Sequence, residues 1–158
     1  KTFANVLFYN GGKGATEAAD GEHCLSWPSN ISSTPVEVAE RNGPLHCHFK
    51  RLRPGSGGVG TTRGGLGQEV EFECTSERPL VGLFMAERTR YAAPGLDGGG
   101  EGGIGSVEIN GIAIDVQKQH ILNKGDRVLL RLPGGGGFGD PARRPARDAD
   151  TDNRLGYT

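Results

Sequence analysis

"LNKGDRVLLRLPGGGGFGDP", residues 122–141, is the stretch on which the reading of the fold turns. A turn at Asn123–Asp126 leads into an apolar strand at 127–132. Four consecutive glycines come next, then Phe138, one more glycine and Asp140-Pro141. A glycine run after a strand either cradles phosphate or serves the backbone alone. Phosphate binding of the dinucleotide kind needs a helix N-terminus immediately afterwards, because that helix end holds the pyrophosphate. Here the spacing G-x-G-x-x-G occurs three times, at Gly55/Gly57/Gly60, Gly98/Gly100/Gly103 and Gly134/Gly136/Gly139. The residues directly after these three runs are Thr61-Thr62-Arg63, Ile104-Gly105 and Asp140-Pro141, and no Gly-Lys-Ser/Thr loop is present. Glycine fills 28 of 158 positions, against a usual share of about 7%, so the degenerate pattern recurs by composition. The glycines are expected to serve turn geometry and close backbone packing, with Phe138 folded into the core and Asp140 capping backbone amides.

Outward from this stretch the chain reads as β. "GQEVEFECTS" (67–76) sets Val70, Phe72 and Cys74 on one face and Glu69, Glu71 and Glu73 on the other. "LHCHFKRLR" (45–53) alternates in the same way. "SVEINGIAIDVQ" (106–117) predicts a hairpin around Asn110-Gly111, and 120–132 a second one about Asn123–Asp126. "FANVLFY" (3–9) reads as a buried strand and "PLVGLFMAERTR" (79–90) as an inner one. "TPVEVAERNG" (34–43) predicts one short helix, with Thr34 as N-cap, Pro35 at its first position and Glu37 closing a capping box. The expected fold is mainly β, an antiparallel sandwich or barrel-like sheets with long Gly-rich turns and one short helix. A domain at 1–140 is followed by an extended charged tail at 141–158.

With 18 basic and 19 acidic residues the net charge is −1, which carries no nucleic-acid or anionic-membrane footprint. No apolar run reaches the roughly 20 residues of a bilayer span. Residue 1 is expected to lie inside a longer chain, since no initiator Met or signal core precedes it. Cys24, Cys47 and Cys74 form no C-x-x-C pair and read as reduced thiols of a cytoplasmic protein. His46 and His48 share one strand face and are the weak metal candidates; a half-exposed strand is the plainer reading. His23-Cys24 could form a nucleophile pair, although adjacent residues seldom face each other. Trp27 reads as core or pocket wall. Arg63, set among glycines, could receive an anion.

The runs "DGEHCLSWPSNISSTPVEVAE" (20–40), "LRPGSGGVGTTRGGLGQ" (52–68), "GLDGG" (95–99) and residues 122–141 resemble, in this order, the C-terminal part of the hydantoinase B family. That family comprises B-type chains of ATP-dependent N-methylhydantoinases, 5-oxoprolinases and acetone or acetophenone carboxylases. Asp20, Gly21, Asn30, Thr34, Pro35 and Glu37 match its pattern, whereas "HCLSWPSNISSTP" departs from the family's "H-x-H-M-T-N-T-R" type run. The resemblance implies a B-type chain that completes ring hydrolysis or carboxylation after an A-type ATP-binding subunit activates the substrate oxygen. It implies ATP and a divalent metal in the parent complex, none held by this chain, with the metal motif in the front part of the B-type chain. The implied partners are the remainder of the B-type chain and the A-type subunit, in an oligomer. On this reading Asp20, Asn30, Thr34 and Arg63 face substrate, no catalytic residue is assigned, and the chain alone is inactive. A carboxylase subunit and a non-catalytic β-rich interaction domain are the alternatives.

Overall fold

A computed structural model describes residues 4–29 and 31–158. The chain is mainly β, with two antiparallel sheets and no closed barrel among the described residues. Helix α1 (Val36–Asn42) precedes strands β1 (Leu45–Leu52), β2 (Gln68–Cys74), β3 (Leu80–Leu83), β4 (Ser106–Ile109), β5 (Ile112–Ala113), β6 (Gln119–Leu122) and β7 (Arg127–Arg131). A 3-10 turn (Pro141–Arg143) and helix α2 (Ala146–Leu155) complete the chain. The larger sheet has the order β1-β2-β7-β4-β5, and β3 pairs with β6 in the smaller.

The larger sheet is built on its side chains. Alternation in β2 sends Val70, Phe72 and Cys74 inward, all buried. Cys74, Val107, Leu122 and Val128 form a cluster that also takes Leu80, Phe84, Ile109 and Leu130, so the small sheet packs on the large one there. The opposite face of β2 carries its glutamates between cationic neighbours. Glu69 pairs with Arg51 at 2.9 Å and Arg131 at 3.3 Å, and Glu71 with Arg127 at 3.6 Å. Such cross-strand pairs each add a few tenths to about 1 kcal/mol. The Asn110-Gly111 hairpin forms as expected, both residues having positive φ.

The glycine runs form a different structure. Residues 133–139 are an extended segment wrapped by residues 12–15, 56–65 and 94–103, and they are not a turn. Gly134 and Gly137 donate to the carbonyls of Gly103 and Gly100. Gly135 and Phe138 donate to those of Gly65 and Thr62, at 2.9 and 3.0 Å. On the acceptor side, Pro133 and Gly136 receive Gly12 and Ala15. These three neighbours are each met again three residues on, the repeat of a polyproline-II chain, whose backbone has no internal hydrogen bonds to make, whereas Leu96 at the end of the run pairs with Gly137 O and Gly139 N–H, two residues apart. Neighbours this close leave no room for a side chain. A Cβ on Gly135 would lie 2.1 Å from the Lys13 carbonyl oxygen.

Several expectations are corrected. The run expected to form a turn is extended, and within it only Gly139 has positive φ. Phe138 is half-buried and bridges Thr62 and Leu96 instead of entering the core, while Asp140 does cap, accepting from Ala142 N–H at 2.9 Å. Residues 4–9 form no strand, and Val6 and Phe8 are exposed. Residues 79–90 yield only the four-residue β3. The turn at Asn123–Asp126 joins the two sheets and makes no hairpin. Helix α1 starts after Pro35 without a side-chain cap, so the Thr34 capping box is not made. Residues 141–158 are not extended. Pro145 precedes α2, and Gly156 in the left-handed region closes it, with Tyr157 N–H donating to the Asp152 carbonyl at 2.9 Å.

Candidate functional site

Residues 20–24 lie against 63–66, laced by backbone pairing. Gly21 N–H donates to Arg63 O at 2.7 Å and Cys24 N–H to Leu66 O at 3.2 Å. Two side chains complete the attachment: Asp20 accepts from Arg63 N–H at 2.7 Å, and His23 Nδ1 accepts from Leu66 N–H at 2.9 Å. His23 and Cys24 thus both address Leu66 and do not form a nucleophile pair. Burial pushes the Cys24 thiol up, against Lys50, so it stays protonated. After Cys24 the segment leaves the glycine frame. Trp27 is 78% exposed, neither core nor enclosed wall.

Asp20 and Arg63 come together in an ion network that residues of the tail complete. Arg144 grips Asp20 with two hydrogen bonds, at 2.9 and 2.8 Å, and reaches Asp152 through Nε at 3.0 Å and Nη2 at 2.6 Å. Arg63 Nε donates to Asp152 at 3.2 Å and Arg63 Nη1 to the Gly64 carbonyl at 2.7 Å. Two guanidinia and two carboxylates balance in charge. Asp152 is buried and Arg63 only 7% exposed, so Arg63 is no solvated turn residue. Burial raises the Asp20 carboxyl, but the Arg144 and Arg63 hydrogen bonds outweigh it and hold the group below its usual range. A buried ion pair survives only when its remaining donors and acceptors are satisfied. Among the described residues no buried side-chain nitrogen or oxygen lacks a partner.

Thr34 stands apart from this network, half-buried just ahead of α1; Asn30 lies outside the described residues. Beside Thr34, a cavity of about 280 Å³ is lined by Cys24, Ser33, Lys50, Arg51, Leu52 and Gln68. Lys50 Nζ donates to Ser33 Oγ at 2.5 Å. This cavity lies where Cys24 and Ser33 meet β1, its lining mostly apolar with the Lys50–Ser33 pair as a polar element. A wider groove of about 1300 Å³ lies between residues 83–91 and 113–118.

The other candidates do not assemble chemistry. His46 pairs with Glu40 at 2.9 Å and His48 with Glu73 at 2.8 Å, the rings edge to face at 5.1 Å. Among the described residues no three His, Cys, Asp or Glu side chains are grouped to hold a metal. The glycine loops cannot receive a nucleotide's phosphates in this arrangement, because Gly58, Gly100, Gly103, Gly134, Gly135 and Gly137 already spend their N–H groups on neighbouring carbonyls. No described helix is long and apolar enough to cross a membrane. Arg144 and Asp152 escaped the sequence reading. Pro145, the acidic first turn at Asp148 and Gly156 were the signals for the helix that carries Asp152.

Comparison with known proteins bears on the whole assembly. The sequence model of the hydantoinase B/oxoprolinase family matches residues 1–141. A 5-oxoprolinase of Pestalotiopsis fici is 31% identical, the match covering 89% of this chain and 11% of that one. The caprolactamase β subunit of Pseudomonas jessenii is 29% identical over 92% of this chain and 27% of its own length. The crystal structure of the ATP-dependent caprolactamase from Pseudomonas jessenii superposes with a TM-score of 0.74 at 27% identity, covering 94% of this chain and 28% of that one. Nucleotide-free acetone carboxylase shares the fold, with a TM-score of 0.65 at 21% identity over 93% of this chain and 24% of its own. The chain therefore spans between about a tenth and about a quarter of these relatives.

Proposed function

The chain belongs to the hydantoinase B/oxoprolinase family, and on that premise we propose that it is the C-terminal part of a B-type chain in an ATP-dependent cyclic-amide hydrolase. Its role is to wall the substrate cavity and to dock the rest of the enzyme. The similar 5-oxoprolinase and caprolactamase are named for lactams, rings closed by one amide. Their identities of 27–31% favour amide hydrolysis over carboxylation, since acetone carboxylase stands at 21% and shares the fold alone.

The observation that supports the reading is the small cavity where Ser33 and Cys24 of the family-like segment meet Lys50 of β1, with the Lys50–Ser33 hydrogen bond at its wall. Opening an amide builds negative charge on the carbonyl oxygen, and a fixed cation or donor near that oxygen stabilises it. ATP, held by an A-type subunit, supplies the activation of that oxygen. The divalent metal that the family resemblance implies would be held by the front part of the B-type chain. Lys50 and Ser33 orient the ring, Thr34 borders them, and Asp20 and Arg63 hold the segment on the glycine frame. Asn30 joins Thr34 as a substrate-facing residue. The enzyme works in the cytoplasm as an oligomer of A- and B-type chains.

The test is the complete B-type chain with its A-type subunit, assayed for ATP-dependent opening of 5-oxoproline, lactams and hydantoins. Lys50→Met should raise KM about tenfold or more with kcat changed less, the pattern of lost binding, and His46→Ala should leave both unchanged. ATP-dependent turnover by the 158-residue chain alone, abolished by His46→Ala or His48→Ala, would overturn the assignment.

A further inference from the structure

Helix α2 is fastened in an unusual way. Its sequence, ARDADTDNRL, has one large apolar residue, Leu155, and that residue is 52% exposed. The one residue it buries is Asp152. Ten residues are too few for a helix to persist in water on its own strength. Four attachments hold it: the Asp152 carboxylate between Arg63 and Arg144, and three contacts of Tyr157. The Tyr157 carbonyl accepts from Gly55 N–H at 2.9 Å, its ring lies under the Arg63 guanidinium at 5.1 Å, and the same ring meets the His23 imidazole edge to face at 4.7 Å.

We propose that residues 145–158 form a strap that closes over the Asp20–Arg63 junction and that the protonation state of His23 sets its closure. The geometry defines the closed state. His23 Nδ1 accepts from the N–H of Leu66, a residue fully buried, so the proton of the closed imidazole sits on Nε2 and the ring is neutral. A second proton removes that acceptor and leaves the Leu66 N–H without its partner, at a cost that open backbone in water does not incur. It also sets a cation beside Arg63. The groups facing His23 are Arg63 from the glycine frame, Asp152 of α2, Tyr157 beyond it, and Asp20 of its own segment. Glu22, next in sequence, is paired with Lys13 at 2.8 Å, and Arg144 stands behind the two aspartates. Burial and then Arg63 lower the His23 pKa against the pull of Asp152 and Asp20. With the closed-state value depressed, closure is fully favoured above the open-state value of about 6.5 and weakens as pH falls below it. These contacts hold whatever reaction the enzyme performs.

The test is hydrogen exchange in the 158-residue chain, reading protection factors of the Gly55, Gly156 and Tyr157 amides between pH 7.5 and 5. Protection at these amides should fall by up to about tenfold per pH unit below about 6.5, while that of the β2 amides stays flat. In His23→Asn the amide oxygen keeps an acceptor near Nδ1 but cannot titrate, so the strap should remain protected throughout the range. Asp152→Asn should lower protection of the strap at every pH and serves as the open reference. An unchanged transition in His23→Asn, or protection independent of pH in the unmodified chain, overturns the proposal.

Discussion

The sheet and the glycine frame solve the same problem with opposite means. In the sheet, β2 buries Val70, Phe72 and Cys74, and the face it turns to the small sheet is packed by what its side chains fill. In the frame, residues 133–139 are packed by backbone against 12–15, 56–65 and 94–103, and the fit depends on the side chains being missing. The sheet should therefore suffer from atoms removed and the frame from atoms added. The difference also assigns the two regions different work. The frame brings these distant stretches of chain to one place and so holds residues 20–24 beside Arg63; the sheet supplies β1, whose Lys50 lines the small cavity.

The sharpest way to break this contrast is to add one methyl group to the frame. Gly135→Ala must move the Lys13 carbonyl, which is backbone with no freedom to yield. It should cost on the order of 3 kcal/mol or more, read as a shift of the urea midpoint at constant m or as failure to fold. The control is Gly55→Ala, where φ is +65° but nothing lies within 4 Å. It should cost only about 1 kcal/mol, and equal losses at the two sites would refute the claim that contact, not φ, demands glycine at 135. Next in size is Asp152→Asn, which leaves the buried Arg63 and the half-buried Arg144 with one carboxylate and should cost about 3 kcal/mol in local stability of α2, measured by exchange of its amides. On the side of the sheet, Val128→Ala removes buried methyl groups and should lower global stability by about 2 kcal/mol. The smallest effect is that of pH on Asp20. Its folded carboxyl is held below the unfolded value of about 3.9. The stability it contributes is present above that value and lost as pH falls through it, so an acid titration of Arg144→Ala should show a shallower decline than the unmodified chain.

Legibility in the sequence divides along the same line. A period of two is written in side chains, so β1, β2 and the Asn110-Gly111 hairpin were visible in the residues. A period of three carried by glycine has no side chain to display it, and residues 133–139 read as a turn. The segments at 3–9 and 79–90 are apolar enough for strands, yet Val6, Phe8, Val81 and Leu83 are exposed, because apolar composition does not say which surface a segment meets. Helix α2 was hidden for the converse reason: attached by charge, it has no apolar stripe to announce it. Asp20 and Arg63 stood out as residues, but the ion network around them is completed by Arg144 and Asp152, far along the chain. Thr34 is beside the cavity without joining the network, and the cavity itself needed β1 to be placed against the 20–34 segment.

The central claim is that the glycine run is an extended, threefold chain held by backbone hydrogen bonds to its neighbours. Scalar couplings across hydrogen bonds, from amide nitrogen to acceptor carbonyl carbon, observe those bonds one by one in the labelled protein. Couplings should appear from Gly134 to Gly103 and from Gly137 to Gly100, and from Gly135 to Gly65 and Phe138 to Thr62, three residues apart along each pair of segments. Couplings from these four amides to other carbonyls, or none at these four amides in the folded chain, would contradict it.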